Sequence, residues 1–247
     1  MSKETIRALD FFFPRRCPVC DDIVPALEFK GGRIKAGGYI HRRCHRQIEY
    51  VKGNTCAVCG KPLSGDIYRE YCDDCSRIRH VFDMGMSVFR YRTVAGSVYK
   101  FKYLGRREYA DFYALATRRL LGEKISRLGI EALIPVPMYK EKERLRGYNQ
   151  ACVYAKALSK ELGIPVREDV IKRVRNTAPM KELDAAGRRN NLKKAFNIAG
   201  NDVKFKCILI IDDIYTTGST IDEIAHEFRV AGVEKIYFLT LAIGQTT

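Results

Sequence analysis

Two sets of residues in this sequence have types and spacings suited to chemistry. The first is an apolar run, Cys207-Ile208-Leu209-Ile210-Ile211, that meets two adjacent acids, Asp212 and Asp213, and then Thr216, Thr217, Gly218, Ser219 and Thr220. Neighbouring carboxylates at the end of a buried strand repel each other unless a cation or hydrogen-bond donors stand between them. Small residues at the start of a helix leave their backbone amides open, and the helix dipole favours an anion there. A strand that ends in acids and runs into such a loop suits a phosphorylated sugar. The sugar hydroxyls would meet Asp212 and Asp213, directly or through a divalent cation, and the phosphate would meet residues 216–220. Helix capping alone accounts for the Thr and Ser residues but leaves the acid pair unexplained.

The second set is made of cysteines. Seven of the nine lie between Cys17 and Cys75. Cys17-x-x-Cys20 precedes His41-x-x-Cys44 by 20 residues, and Cys56-x-x-Cys59 precedes Cys72-x-x-Cys75 by 12. Each pair can present two ligands from one tight turn, and two pairs complete a closed tetrahedral shell. The spacing predicts one or two structural zinc ions, one held by Cys17, Cys20, His41 and Cys44, the other by Cys56, Cys59, Cys72 and Cys75. His45 competes with His41, and an interleaved arrangement, in which the first and third pairs share an ion, fits the spacing as well. The first set also reads as two surplus thiols and a solvated histidine. A segment this short and Gly-rich has little core, so metal would supply much of its folding energy. No apolar run approaches the roughly 20 residues of a membrane span. The chain is therefore expected in the cytoplasm, where a disulfide framework is not expected.

The formal charge of +15, from 44 Lys+Arg against 29 Asp+Glu, favours a polyanionic partner or a phosphorylated ligand. Cations alternate with aromatics in Arg90-Tyr91-Arg92 and in Tyr99-Lys100-Phe101-Lys102-Tyr103, followed by Arg106 and Arg107. Lys100, Lys102, Arg106 and Arg107 are candidate contacts to single-stranded DNA, whose bases stack on aromatics while cations follow the backbone. The same pattern also describes a helix with Tyr and Phe in the core and lysines in water.

Elements must position these residues. The texture changes near residues 80–86, which divides the chain into a metal-binding module over 1–82 and a second domain over 83–247. Strands are predicted over 86–92, 132–137, 206–211 and 235–243, with a short one within 166–174. Helices are predicted over 108–128, 149–162 and 219–230. Such alternation indicates an α/β fold with a mainly parallel sheet flanked by helices, next to a small zinc-ribbon-like module.

The 207–220 stretch resembles the signature of type I phosphoribosyltransferases that binds phosphoribosyl pyrophosphate (PRPP): apolar strand, two acids, Thr-Thr-Gly loop. More of the chain resembles one branch, the ComF family, named for competence (DNA uptake) operons. Ile134-Pro-Val-Pro137, Arg146-Gly147-Tyr148-Asn149-Gln150 and Lys102-Tyr103-x-Gly105-Arg106 look like its motifs. Arg173, Thr177, Leu183, Arg188, Asn191 and Phe196 fall where its hood-like loop has them. Met180 replaces a frequent Gln, and His41 a frequent Cys. The resemblance implies that Asp212 and Asp213 hold the ribose hydroxyls as the catalytic pair, that residues 216–220 cradle the 5′-phosphate, and that Mg²⁺ accompanies the ligand. Lys140, Lys142, Arg144 and Arg146, in a loop after Pro137, together with Arg173, Arg175 and Arg188, would then close over the pyrophosphate. It also implies a link to DNA uptake or recombination proteins. Three roles stay open: a PRPP-dependent transferase, a DNA-handling accessory protein in which PRPP is a regulatory ligand or substrate, or a PRPP sensor without turnover.

Overall fold

The computed structural model describes residues 14–31, 33–63, 69–175, 194–199 and 203–244. A central sheet is built from β3 (Met84–Arg90), β8 (Lys235–Ile243), β7 (Cys207–Tyr215) and β4 (Ala132–Pro135), in that order and all parallel. This is the mainly parallel sheet expected from the alternating pattern. Parallel neighbours need crossover helices, and these cover both faces. On one face lies α7 (Ser219–Val230), whose Ile221, Ile224, Ala225 and Phe228 recur at helical spacing and pack with Ile208, Ile210, Ile236 and Phe238. On the other lie α3 (Tyr91–Tyr103), α4 (Tyr109–Ser126) and α6 (Gln150–Leu162), which cover Leu209, Ile211, Leu239 and Leu241. Side chains of β7 thus divide between two cores by strand alternation.

Two expectations about elements need correction. The stretch 86–92 is expected to be one strand; β3 instead covers Met84–Arg90, and α3 begins at Tyr91, so the cation–aromatic run is helical. The segment after Pro137 is expected to be a loop; it contains a short helix, α5 (Lys140–Arg146), closed by Gly147 at φ 81°. A small hairpin of β5 (Ile171–Arg173) and β6 (Phe196–Ile198) lies beside the main sheet.

The cysteine-bearing segment holds the β1–β2 ribbon (Leu27–Lys30 with Arg33–Ala36) and two short helices, α1 (Arg42–His45) and α2 (Asp73–Arg77). It is joined to the sheet by backbone. Val51 N–H donates to Val88 O at 2.9 Å, and Arg90 N–H donates to Glu49 O at 2.9 Å, so residues 49–51 cover the β3 edge. Gly85 N–H donates to Val58 O at 2.6 Å, and a Cβ at Gly60 would come within 2.7 Å of Gly85 O. Among the described residues no helix is long and apolar enough to cross a membrane.

Candidate functional site

The acid pair sits at the carboxyl end of β7, the usual location of ligands in open α/β sheets. The strand is expected to end at Ile211, but its ladder with β8 continues, with Asp212 opposite Thr240 and Tyr215 opposite Ile243. β4 stops with Pro135 opposite Ile211, so beyond that point the ladder with β8 alone outweighs the poor strand propensity of aspartate.

Asp213 is 6% exposed. Lys102 Nζ lies 2.9 Å from its Oδ2, and Gln150 Nε2 donates to the same oxygen at 2.8 Å. Arg146 Nη1 donates to Gln150 Oε1 at 2.6 Å, with its guanidinium 4.8 Å from the centre of the Tyr103 ring. Burial works against the charge on Lys102, yet Asp213 and then Asp212 hold it protonated, above the usual lysine value. Gln150 is oriented by α6, whose N-cap Asn149 accepts from Ala151 N–H at 3.0 Å and donates from Nδ2 to Val136 O at 2.9 Å.

Asp212 is half-buried and accepts from Asp213 N–H at 2.8 Å. Burial first, and Asp213 second, push its carboxyl up to about 7, against the opposing pull of Lys102 and Arg173. Arg173, on β5, lies with its guanidinium 5.5 Å from the centre of the Phe196 ring. Lys142 on α5 is lowered by burial and then by Arg173 and Arg146. Asp213 is already matched by Lys102 and Gln150, which leaves the Asp212 carboxylate as the oxygen donor that a hard cation such as Mg²⁺ would use.

Beyond Tyr215 the chain turns at residues 216–218 and enters α7. Gly218 is the N-cap at φ 79°, and a Cβ there would lie 2.8 Å from Tyr215 Oη and 3.1 Å from His80 Cε1. Dihedral and space both require glycine. Thr217 Oγ1 and Ser219 Oγ are 2.9 Å apart, so the hydroxyls gather at the helix start with the open amides. Thr216, Thr217 and Gly218 thus lie in the turn, and Ser219 and Thr220 open α7. Arg188 and the hood positions Thr177, Met180, Leu183 and Asn191 lie outside the described residues.

The donor atoms of Cys17, Cys20, His41 and Cys44 lie within 4.8 Å of one another, and so do those of Cys56, Cys59, Cys72 and Cys75. The interleaved arrangement is thereby overturned. His41 Nε2 is 3.0 Å from Ile23 O, which can only accept, so Nε2 carries the proton and Nδ1, 3.3 Å from Cys20 Sγ, is left as the ligand atom. His45 instead meets Tyr50 Oη through Nε2 at 3.0 Å. Three thiols with an imidazole, and four thiols, are donor sets that fit structural zinc. Beside the second set, the buried Lys61 pairs with Asp74 at 2.6 Å and faces the thiols of Cys72 and Cys59.

The four candidate DNA-contacting cations do not form one free stripe. Lys102 belongs to the acid cluster. Lys100 Nζ donates to Val19 O at 3.3 Å, and Arg106 pairs with Asp21, which also accepts from Tyr109 Oη at 2.6 Å. Arg107 donates to Gly147 O at 2.7 Å and lies over the Tyr148 ring. Two of the four therefore dock the first metal cluster onto α3 and α4. Lys102, a candidate DNA contact by residue type, and Gln150, a letter of a motif, both meet Asp213, a convergence that only the packing shows.

Two family models match the chain. One described as "Double zinc ribbon domain" covers residues 8–76, and one described as "Phosphoribosyl transferase domain" covers residues 149–246. The "Competence protein F" of Haemophilus influenzae is 33% identical over 207 residues, spanning 81% of this chain and 88% of that protein. The chain belongs to the competence protein F (ComF) family. "Competence protein ComFC" of Bacillus subtilis is 28% identical over 72% of each chain, and "DNA utilization protein YhgH" of Escherichia coli K12 is 35% identical over 38% of this chain and 41% of that one. A purine phosphoribosyltransferase structure from Pyrococcus horikoshii is 20% identical, covering 58% of this chain and 85% of that one, with a TM-score of 0.32, too low to carry weight. This ComF-family chain combines a double zinc ribbon with a phosphoribosyltransferase-like parallel sheet, and the acid pair and loop lie within the matched transferase region.

Metal analysis of the purified protein should find two zinc ions per chain, and Cys59→Ser should reduce this to one and lower the melting temperature. Asp212 supplies a pH signature. Its ordinary pKa is 3.8, while in the fold it is held at about 7. Between those values the unfolded chain has lost a proton that the folded chain keeps, so stability falls as pH rises through this window. Asp212→Asn does not titrate, and it should raise the melting temperature at pH 8 by about 2–4 °C, the shift of ~1 kcal/mol in a chain of this size, with a smaller effect at pH 5.

Proposed function

We propose that this ComF-family protein binds PRPP together with Mg²⁺ and transfers or senses the phosphoribosyl group in the cytoplasm. The single observation that carries the reading is the acid pair and the Gly218-capped helix start at the carboxyl end of one central strand, beside Lys102, Arg146 and Arg173. Asp212 and Asp213 would accept from the two ribose hydroxyls, and residues 216–220 would hold the 5′-phosphate through backbone amides. Mg²⁺, when bound, supplies charge that offsets the pyrophosphate. Arg146, Lys142, Arg173 and Arg188 would face the leaving pyrophosphate, where guanidinium forks match pairs of phosphate oxygens. In a transfer step an acceptor forms its bond to the anomeric carbon, the carbon–oxygen bond to pyrophosphate breaks, and the electron pair leaves with pyrophosphate. Holding the ribose by both hydroxyls positions that carbon, which makes the acid pair catalytic as well as binding. In this reading residues 1–82 form the zinc-bound module and 83–247 the PRPP domain.

A second reading, handling of single-stranded DNA, is supported by a cleft rather than by the predicted cation stripe. The cleft, of about 410 Å³, lies between the first metal cluster and α4, lined by Arg42, His45, Lys52 and Arg119 with Tyr39 and Tyr50. Cations beside aromatic faces suit a flexible polyanion with stacking bases. The relatives' names, "Competence protein F" and "DNA utilization protein", favour such a partner and a link to uptake or recombination proteins.

Thermal melts test the first reading. With PRPP at about 100 times its Kd, the zinc-loaded protein should gain ~2.7 kcal/mol and melt several degrees higher, only with Mg²⁺ present. Asp213→Asn should abolish the gain, and a wild-type protein that shows no rise overturns PRPP binding. For the second reading, Lys52→Glu with Arg119→Glu should weaken binding of a single-stranded oligonucleotide at least about tenfold and flatten its salt dependence. Unchanged affinity and slope, at unchanged zinc content, would remove the cleft from the DNA role.

A further inference from the structure

Two motifs of the sequence, Lys102-Tyr103-x-Gly105-Arg106 and Arg146-Gly147-Tyr148-Asn149-Gln150, take no part in the phosphate loop and lie far apart along the chain. In the fold they meet. α3 ends at Tyr103 and the chain turns at Gly105, at φ 69°. α5 ends at Arg146, Gly147 closes it at φ 81°, and α6 starts at Gln150. The buried Tyr148 donates from Oη to Phe101 O. Arg107 donates to Gly147 O at 2.7 Å, and the Arg146 guanidinium stands 4.8 Å from the centre of the Tyr103 ring. The end of α3 and the junction of α5 with α6 are thereby fastened to each other.

Two donors leave this junction for one oxygen. Lys102 Nζ lies 2.9 Å from Asp213 Oδ2, and Gln150 Nε2 donates to the same atom at 2.8 Å. The amide of Gln150 has only one possible orientation. Arg146 Nη1, which can only donate, takes its Oε1 at 2.6 Å and leaves Nε2 for the acid. Asp213 Oδ1 meets no donor among the described residues and is not sealed from solvent, and the side chain keeps 8% of its surface exposed. A free carboxylate turns readily about its last torsion, but one tied at Oδ2 from two helices does not. We infer that Lys102 and Gln150 are positioning residues for the sugar end of the site: they hold Asp213 by Oδ2, so that Oδ1 stands fixed as the acceptor for one hydroxyl of a ribose phosphate. The inference rests on the reading that the acid pair meets ribose hydroxyls. An oxygen that only accepts requires a donor, and beside Asp212 an anion is repelled, so a neutral hydroxyl fits. Lys102 and Gln150 thus act through Asp213 rather than on the ligand.

Ribose 5-phosphate carries the hydroxyls without the pyrophosphate, and inorganic pyrophosphate carries no sugar, so the two ligands separate the ends of the site. Lys102→Met keeps the stem of the side chain and removes its charge. Gln150→Glu keeps an oxygen for Arg146 and puts an acceptor where Asp213 needs a donor. In calorimetric titrations of the full-length, zinc-loaded protein with Mg²⁺, each variant should bind ribose 5-phosphate about tenfold or more weakly, the scale of a misplaced hydrogen bond to a charged group. Pyrophosphate affinity and zinc content should stay near wild type. Lys102→Arg, which keeps the charge, should recover most of the ribose 5-phosphate affinity. Lys102→Met strands a buried carboxylate and should melt lower, whereas Lys102→Met with Asp213→Asn removes both charges and should regain the melting temperature without regaining the sugar. Ribose 5-phosphate affinity that returns with the melting temperature assigns the pair to the fold alone and overturns the inference. Wild-type affinity in either single variant overturns that residue's positioning role and leaves the PRPP reading standing, and an equal loss of pyrophosphate affinity overturns the assignment to the sugar end. A wild-type protein that binds neither ribose 5-phosphate nor PRPP overturns both.

Discussion

A carboxylate as buried as Asp213 persists only beside an opposite charge, and that requirement organises the cleft. Lys102 arrives from α3, Gln150 from α6 and Arg146 from the end of α5, and all three meet at one strand end. Removing one partner of a buried ion pair leaves an uncompensated charge, which is far more costly than the net worth of the pair. The helices on that face are thus bound in register to β7 by electrostatics as well as by apolar packing. Asp212 beside it feels Lys102 and Arg173 less than its own burial and the charge of Asp213, and its carboxyl is raised to about 7.

The metal-binding segment is not a pendant module. Its backbone continues the sheet edge at β3, Asp21 of the first knuckle holds Arg106 and Tyr109, and Cys56, Cys59 and Cys72 share an apolar cluster with Phe82, Tyr215 and Phe238. Tyr215 and Phe238 stack with ring centres 4.8 Å apart, and Phe82 meets Phe238 edge-on at 4.8 Å. This aromatic stack lies between the thiols and the turn at Gly218. Free energy supplied by zinc to fold the ribbon therefore also supports the strand and loop that carry the acid pair. A small ribbon gains a wall it could not build alone, and the parallel sheet gains a covered edge.

Positive charge is distributed by the same logic. A formal charge of +15 suggests a surface for polyanions, yet several of the cations are structural. Lys61 faces thiols, Lys100 and Arg106 fasten the first knuckle, and Lys102 neutralises Asp213. Lys142, Arg146 and Arg173 also gather near the acid pair, where burial first, and Arg173 and Arg146 second, lower Lys142. Like charges gathered at one end of a sheet store repulsion that a pyrophosphate group would relieve.

Local pattern determined much of this protein. The apolar run before Asp212, the spacing of Ile221, Ile224, Ala225 and Phe228, and the strand over 235–243 carry their periods in the sequence, so strands, helix and the turn between them were legible together. Cys-x-x-Cys spacing likewise announced metal, because two ligands on one turn are a local matter. Which pairs share an ion was not local: four pairs close in more than one way, and only the path of the chain between them puts Cys17 with Cys44 and Cys56 with Cys75. The role of Lys102 was equally hidden. In sequence it alternates with tyrosines like a nucleic-acid contact, and only the packing of α3 on the sheet turns it onto Asp213. His80 had no motif at all. Its place against Gly218 and Asp222 exists because the segment between the second metal cluster and β3 crosses the start of a helix nearly the whole domain away in sequence, and side chains that distant are brought together by tertiary packing, which no local propensity records.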